Sequence, residues 1–342
     1  MKRHVLTAAL LTVLTTCWTA HAGYLHPSGL MLSGTSVAVS SDGSFLVSAG
    51  FMTSDPSYAI VVKDANTNDI LRAFGRANKI ALSPDDRYIA SSAMSGTSWT
   101  LWNVESGEKI REVEGHKLYI QCLTFTPDGK QLLTASWDPE SEVRLWDVET
   151  GELLRTFCGH EGLILALVVS PDGQYVASAG GGPDCEIRYW DIETGECLKI
   201  FKGHRWPVRS LAFDSSGERL ASGSNDCEIR IWNIESGEKT DHLTGHLSPV
   251  MSLDFSPDGS RLLSGSGSIS GGFNEAVAKL WDIESGECEH TFPRVSWVVT
   301  HVEFQAEDRK LFLLDGYHRP HVYDMPNSLR QNDVPCEVEE VK

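Results

Sequence analysis

The stretch Leu101-Trp102-Asn103-Val104-Glu105-Ser106-Gly107-Glu108 returns as Leu145-Trp146-Asp147-Val148-Glu149-Thr150-Gly151-Glu152, and again around Trp190, Trp232 and Trp281, at intervals of 42 to 49 residues. A chain that copies itself at that period is an array of one supersecondary unit, and a unit of this length holds four short strands. A second marker runs in step: Gly115-His116, Gly159-His160, Gly203-His204 and Gly245-His246 each open the unit that its tryptophan closes. Two weaker copies flank the five clear ones, at Val62-Lys63-Asp64 followed by Ile70-Leu71, and at Val322-Tyr323-Asp324. A third marker checks the total of seven. Turn formers stand between short alternating apolar runs at Ser41-Asp42-Gly43, Pro84-Asp85-Asp86, Pro127-Asp128-Gly129, Pro171-Asp172-Gly173, Ser215-Ser216-Gly217, Pro257-Asp258-Gly259 and Ala306-Glu307-Asp308, the pattern of a hairpin.

These three markers resemble the WD-repeat (Trp-Asp repeat) family, whose signature is a Gly-His pair and a Trp-Asp pair per blade. The resemblance covers roughly residues 24 to 325. It implies an all-β, seven-bladed β-propeller of four-stranded antiparallel blades. The seventh unit supplies three strands, around Val298-Phe304, Lys310-Leu314 and His321-Tyr323, so the expected closure is an N-terminal strand, Gly29-Leu30-Met31-Leu32, completing the last blade. Domain bounds follow as a signal peptide over 1–22, the propeller over 23–325, and an acidic, disordered tail over 326–342.

The resemblance also implies a hydrogen-bonded set in each complete blade, running from the Gly-His imidazole through a Ser or Thr and an Asp to the indole. The matching residues are His116, Thr134, Asp138 and Trp146; His160, Ser178, Asp184 and Trp190; and His204, Ser222, Asp226 and Trp232. His, Ser and Asp together are also the residue types of a hydrolase triad. Here they recur blade after blade, and a buried indole N–H needs a partner, so the set reads as structural. The sixth blade has His246, Ser264 and Trp281 without a clear Asp, and carries a Gly/Ser-rich insertion from Gly265 to Glu275.

The chain opens on Met1-Lys2-Arg3-His4, continues with apolar Val5 to Leu14, and reaches Ala20-His21-Ala22. That is the layout of a secretory signal with its small-residue cleavage site, and it makes the expected location periplasmic or secreted; an uncleaved anchor and lipid attachment at Cys17 are the alternatives. No later run is long enough for a transmembrane helix. The net charge of −18 disfavours nucleic acid and anionic membrane as partners. Seven cysteines remain after cleavage, Cys122, Cys158, Cys185, Cys197, Cys227, Cys288 and Cys336. An odd number without C-x-x-C spacing indicates small buried side chains rather than a disulfide or zinc framework.

Two faces are expected to differ. The turns after each Trp-Asp strand carry Glu105, Glu108, Glu149, Glu152, Glu193, Glu196, Glu235, Glu238, Glu284 and Glu287 on one side of the ring, an acidic face that serves either as soluble turns or to steer basic partners or loose cations. The opposite face carries the Gly-His loops and varies from blade to blade. Its candidate partner-binding residues are Trp137, Trp206, Tyr119, Arg205, Arg209, Gln121, Leu163 and Asn225, with Leu165 and Met251 as inter-blade packing, because aromatics and Arg dominate interface energies. The expectation is a monomeric, non-catalytic scaffold for a protein or peptide, without metal or cofactor. The alternatives are an enzyme acting at the central channel or inserted loops, and a surface binder of glycans or cations.

Overall fold

An alternating run such as Leu123-Thr124-Phe125 has one face to bury, and the turn formers after it reverse the chain at once, so neighbouring runs pair antiparallel. The computed structural model describes residues 24–25, 31–32, 36–49, 60–65, 67, 69–93, 96–136, 141–182, 185–267, 276–294, 297–305, 310–315 and 320–324. Over these residues the chain forms seven successive antiparallel sheets, each a meander in chain order. The third is typical: Ile120–Phe125, Gln131–Ser136, Val143–Asp147 and Leu153–Phe157. From the first sheet to the seventh, the first strand of each packs against the first strand of the one that follows. These strands, Ser36–Val39, Ile80–Leu82, Ile120–Phe125, Leu163–Val169, Val208–Phe213, Val250–Phe255 and Val299–Gln305, therefore surround the axis of a seven-bladed propeller.

Each repeat tryptophan packs on the blade before its own. Trp190 joins Leu133, Val143 and Phe157 of the third blade, and Trp232 joins Ala177, Tyr189 and Phe201 of the fourth. Edge contacts with an outer-strand phenylalanine, Phe157–Trp190 at 5.9 Å and Phe201–Trp232 at 5.4 Å, fit the ring quadrupoles. Tyr323 takes the same position in the seventh blade, 5.1 Å from Phe292 of the sixth. In the first blade the slot holds Lys63, and the seam between blades seven and one is a smaller cluster of Leu46, Phe312 and Leu314 with Val37, Val39 and Ala65.

That seam corrects the expected closure. Met31–Leu32 does not join the seventh sheet, which has three strands, Val299–Gln305, Lys310–Asp315 and Pro320–Asp324; it pairs instead with Tyr24–Leu25 in a separate two-stranded sheet. Pro27 and Gly29 between the two segments are turn formers, and a local hairpin closes a far shorter loop than pairing with residue 320 would. Among the described residues the ring is closed by side-chain packing.

Basic residues on the outer strands of the first four blades stitch each of them to the turn of the next. Arg72 donates to the Glu105 carbonyl, Arg111 to those of Glu149 and Thr150, Arg155 Nη1 to Thr194 O at 3.0 Å, and Lys199 Nζ to Glu235 O at 2.6 Å. In the fifth blade Asp241 occupies this position, opposite Ile231, and cannot donate. Arg219 crosses that seam instead, its Nη2 donating to Gly259 O at 2.7 Å while Nε holds Asp214 at 2.9 Å. Asp241→Arg should extend the series and raise stability by about 0.5 kcal/mol, an ordinary gain for an exposed donor on a carbonyl; an unchanged or lower urea midpoint would show that this seam has no carbonyl within reach.

Candidate partner-binding face

The polar interior explains why the repeat keeps its residues. Trp146 Nε1 donates to Thr134 Oγ1 at 2.8 Å, and His116 Nε2 lies 2.7 Å from the same oxygen. The pattern returns at Trp190, Ser178 and His160, both contacts 2.8 Å, and at Trp281, Ser264 and His246, both 2.7 Å. It is complete in the fifth blade: Trp232 donates to Ser222 at 2.8 Å, Ser222 meets His204 Nε2 at 2.8 Å, and His204 Nδ1 meets Asp226 Oδ2 at 2.9 Å. Nδ1–H donating to the carboxylate leaves Nε2 to accept the serine hydroxyl, so one direction of donors runs from indole to carboxylate. Burial pushes the Asp226 carboxyl up, but the hydrogen bond from His204, with the Arg205 and Glu228 amides, holds it at about 2. Asp138 and Asp184, expected to complete the third and fourth sets, lie outside the described residues.

Three consequences follow. Ser222 and Ser178 are fully buried, so these His-Ser pairs meet no substrate. His204, Asp226 and Glu228 stand close enough together to hold a metal ion, but both His204 nitrogens are engaged and Glu228 already accepts from Arg230 at 2.9 Å and His242 at 3.0 Å; the donor set is that of an internal network. The second blade keeps half of the arrangement, Trp102 Nε1 donating to Ser91 Oγ at 2.7 Å, with Gly75-Arg76 in the Gly-His place. A side chain at Gly75 would run into the Trp102 ring, 2.7 Å from Cη2, which is why that position is glycine.

The Trp-Asp end of the blade makes turns. Asp147 Oδ1 accepts the Thr150 amide at 2.7 Å, Asp191 the Thr194 amide at 2.6 Å and Asp282 the Ser285 amide at 2.8 Å, each an Asx turn. The ten glutamates beside these turns are all exposed, on the face opposite the Gly-His loops. In blades two to six these turns repeat and present charge, and the exposed apolar residues beside them, Leu153, Leu154 and Leu198, lie on the outer strands.

The Gly-His face is different. Trp206 is 61% exposed and Tyr119 46%, and Arg205 is exposed. Leu163, Gln121, Arg209 and Asn225 are half-buried beside them, and Arg209 Nε donates to Asn225 Oδ1 at 3.0 Å. Leu165 and Met251 are half-buried as well. Trp137 lies outside the described residues. Two anchors escaped the sequence reading: Leu247, 62% exposed, and Leu118, 43%, both directly after a Gly-His pair or one residue beyond, where apolar side chains have no interior to enter. In blades three to seven the inner strand carries a bulge near its start, between Ile120/Cys122, Ile164/Ala166, Val208/Ser210, Val250/Ser252 and Val299/His301. A bulge frees one residue from cross-strand pairing and re-aims it, and Gln121, Leu165, Arg209, Met251 and Thr300 are the residues so freed around the channel mouth.

The cysteines are less buried than their apolar reading implied. Cys158 and Cys197 are exposed, and Cys122, Cys185, Cys227 and Cys288 are half-buried; burial pushes the Cys122 thiol up to about 12.

Residues 107–147, 151–191, 195–233 and 237–282 match the family described as WD domain, G-beta repeat. These four repeats are WD repeats, carried in a seven-bladed propeller. Each matched stretch begins in an acidic turn and ends on a Trp-Asp or Trp-Asn strand or just past it, so the sequence repeat is offset by one strand from the structural blade. The propeller is 32% identical over 104 residues to apoptotic protease-activating factor 1 of Danio rerio, across 29% of this chain and 8% of that protein. It is 29% identical over 61 residues to periodic tryptophan protein 2 of Saccharomyces cerevisiae, across 18% of this chain and 7% of that one. The chain thus spans under a tenth of the length of these curated relatives. Among the described residues no helix is long and apolar enough to cross a membrane.

Proposed function

We propose that this WD-repeat propeller is an exported, non-catalytic scaffold that grips a protein or peptide through its Gly-His face. The observation that carries the reading is the asymmetry of the two faces: Trp206, Leu247, Tyr119 and Leu118 stand exposed on one, and repeated acidic turns stand on the other. Exposed aromatic and aliphatic anchors around a rigid concavity are what interface cores are made of. The buried His and Ser or Thr side chains are committed to the indoles, which supports binding over catalysis. The basic and apolar start of the chain supports export. Protein expressed from the whole chain should begin at Gly23 after export; an N-terminal sequence starting at Met1 would remove that part of the reading.

The face is tested by quantitative capture with three proteins: wild type, Trp206→Ala/Leu247→Ala, and Glu149→Ala/Glu193→Ala. The apolar double variant should lose its partner by more than about tenfold, since one interface anchor is commonly worth over 1.4 kcal/mol, and the acidic-face variant should keep it. The reverse pattern would place binding on the turns.

A further inference from the structure

Beyond the Gly-His face, we infer that the outer rim of blades one to four is a second docking surface, whose partner is a basic amphipathic helix. In blades one to six the outer strand bulges where it passes the repeat tryptophan or its equivalent. Lys63 pairs with Ile70 and Val62 with Arg72, so Leu71 is skipped; Ile110, Leu154 and Leu198 are skipped in the same way in the next three blades. All four are branched aliphatic residues turned to solvent: Leu71 is 49% exposed, Ile110 48%, Leu154 44% and Leu198 45%. The fold does not demand them, because the same position holds Thr240 in the fifth blade and, in the sixth, Glu289, whose carboxylate meets Arg261 at 2.7 Å. Single leucines on a surface are ordinary, but a row at one register position on four successive blades is a patch.

The row is set among carboxylates. Two positions before each of its members stands an acidic residue of the same hairpin: Asp69, Glu108, Glu152 and Glu196. Each outer strand also lies on the acidic turn of the following blade. A side chain at Gly151 would stand 2.9 Å from Arg111 Cδ, and one at Gly195 2.9 Å from Arg155 Cδ, so aliphatic residue and turn alternate along one continuous band. The strand cations Arg72, Arg111, Arg155 and Lys199 are fewer than the carboxylates of this band, and their donors point at turn carbonyls. The charge that the band presents outward is negative.

Charge and edge geometry fix the partner. Aliphatic side chains flanked by carboxylates are complementary to apolar residues flanked by Lys and Arg, and a net charge of −18 draws such a segment in while repelling acidic proteins and anionic membrane. The bulge decides the conformation of the segment. It interrupts the outer edge at the very residue in question, an arrangement that works against the addition of another strand. The partner therefore meets the rim through side chains rather than main chain, as an amphipathic helix does with apolar residues three and four positions apart.

The test is an anisotropy titration of the full chain with three synthetic helical peptides of about five turns: one with Leu on one face and Lys on the other, one with Ser in place of every Leu, and one with Glu in place of every Lys. The Leu/Lys peptide should bind, and each of the others should bind at least about tenfold more weakly. Leu154→Ser/Leu198→Ser should weaken the Leu/Lys peptide by a similar factor while its melting temperature stays within about 2 °C of wild type, as for exposed sites. Glu193→Gln/Glu196→Gln should weaken it about threefold and flatten its salt dependence. No binding of the Leu/Lys peptide, equal binding of the Ser/Lys peptide, or undiminished binding to Leu154→Ser/Leu198→Ser would overturn the proposal. Loss in Trp206→Ala/Leu247→Ala instead would place the helix on the Gly-His face and overturn it as well. A wild-type dimer in sedimentation that Leu154→Ser/Leu198→Ser abolishes would make a second copy of the chain the occupant in place of a basic helix.

Discussion

Ser222→Ala should lower the unfolding free energy by about 3 kcal/mol, far more than removing one hydroxyl from a surface would. Ser222 Oγ accepts the Trp232 indole N–H and meets His204 Nε2, both at 2.8 Å. Alanine leaves the indole donor and the imidazole acceptor without partners in a site where the serine is fully buried, and each orphaned group costs about 1–3 kcal/mol. The Asp226 carboxylate stays on Nδ1, but the imidazole it orients no longer links to anything. Ser91→Ala in the second blade is the internal control. There the serine accepts only Trp102, which is half-buried, and Arg76 replaces the histidine, so the loss should be about 1 kcal/mol. Urea midpoints of the two variants decide the matter. Equal losses would mean that the imidazole adds nothing to the serine and indole, and that the repeat keeps its histidine for another reason.

How much of this was legible beforehand depended on whether a residue's role repeats. The tryptophans, the turn aspartates and the serine partners recur at fixed offsets, so chain arithmetic placed the blades, the strand ends of the weak seventh copy and the interior sets. The inner-strand bulges left no mark, because one extra residue in Val208-Arg209-Ser210 does not disturb an alternation that is read over only a few positions. The register of the second blade was hidden for a related reason: the loop from Gly75 to Pro84 is three residues shorter than that from Gly115 to Pro127, and only the pairing of Ile80 with Ser91 restores it. Leu118 and Leu247 were passed over because an isolated leucine carries no pattern that says which way it faces. The closing strand was misplaced because the choice between a local hairpin and a distant edge is one of loop entropy, and the apolar run Leu30-Met31-Leu32 suits either.

Asp254→Asn should stabilise the protein by about 2 kcal/mol at pH 8 and change little at pH 4, which follows from an inner-strand carboxyl whose environment disfavours its charge. Burial is the main cause; the Phe304 amide, donating to Oδ2 at 2.7 Å, opposes it, Glu303 adds repulsion and His301 a smaller attraction, and the outcome is a carboxyl raised to about 7. Between the ordinary aspartate range and that value the native state holds a proton that the unfolded chain has released. Stability from this group is therefore greatest at acid pH and is lost as pH rises toward 7, at up to about 1.4 kcal/mol per pH unit. Asparagine keeps an oxygen for the Phe304 amide and never charges, so its advantage grows across that window and then levels. The wild-type curve alone will not show this. Burial, with Lys279 nearby, lowers the His246 imidazole to about 3, so that group favours the native state increasingly as pH rises from about 3 to 6.5 and offsets the Asp254 trend. The difference between variant and wild type isolates Asp254, because His246 is common to both. Urea denaturation at pH 4, 6 and 8 gives that difference; curves for the two proteins that run parallel across the range would show that the carboxyl is already ionised and solvated in the channel.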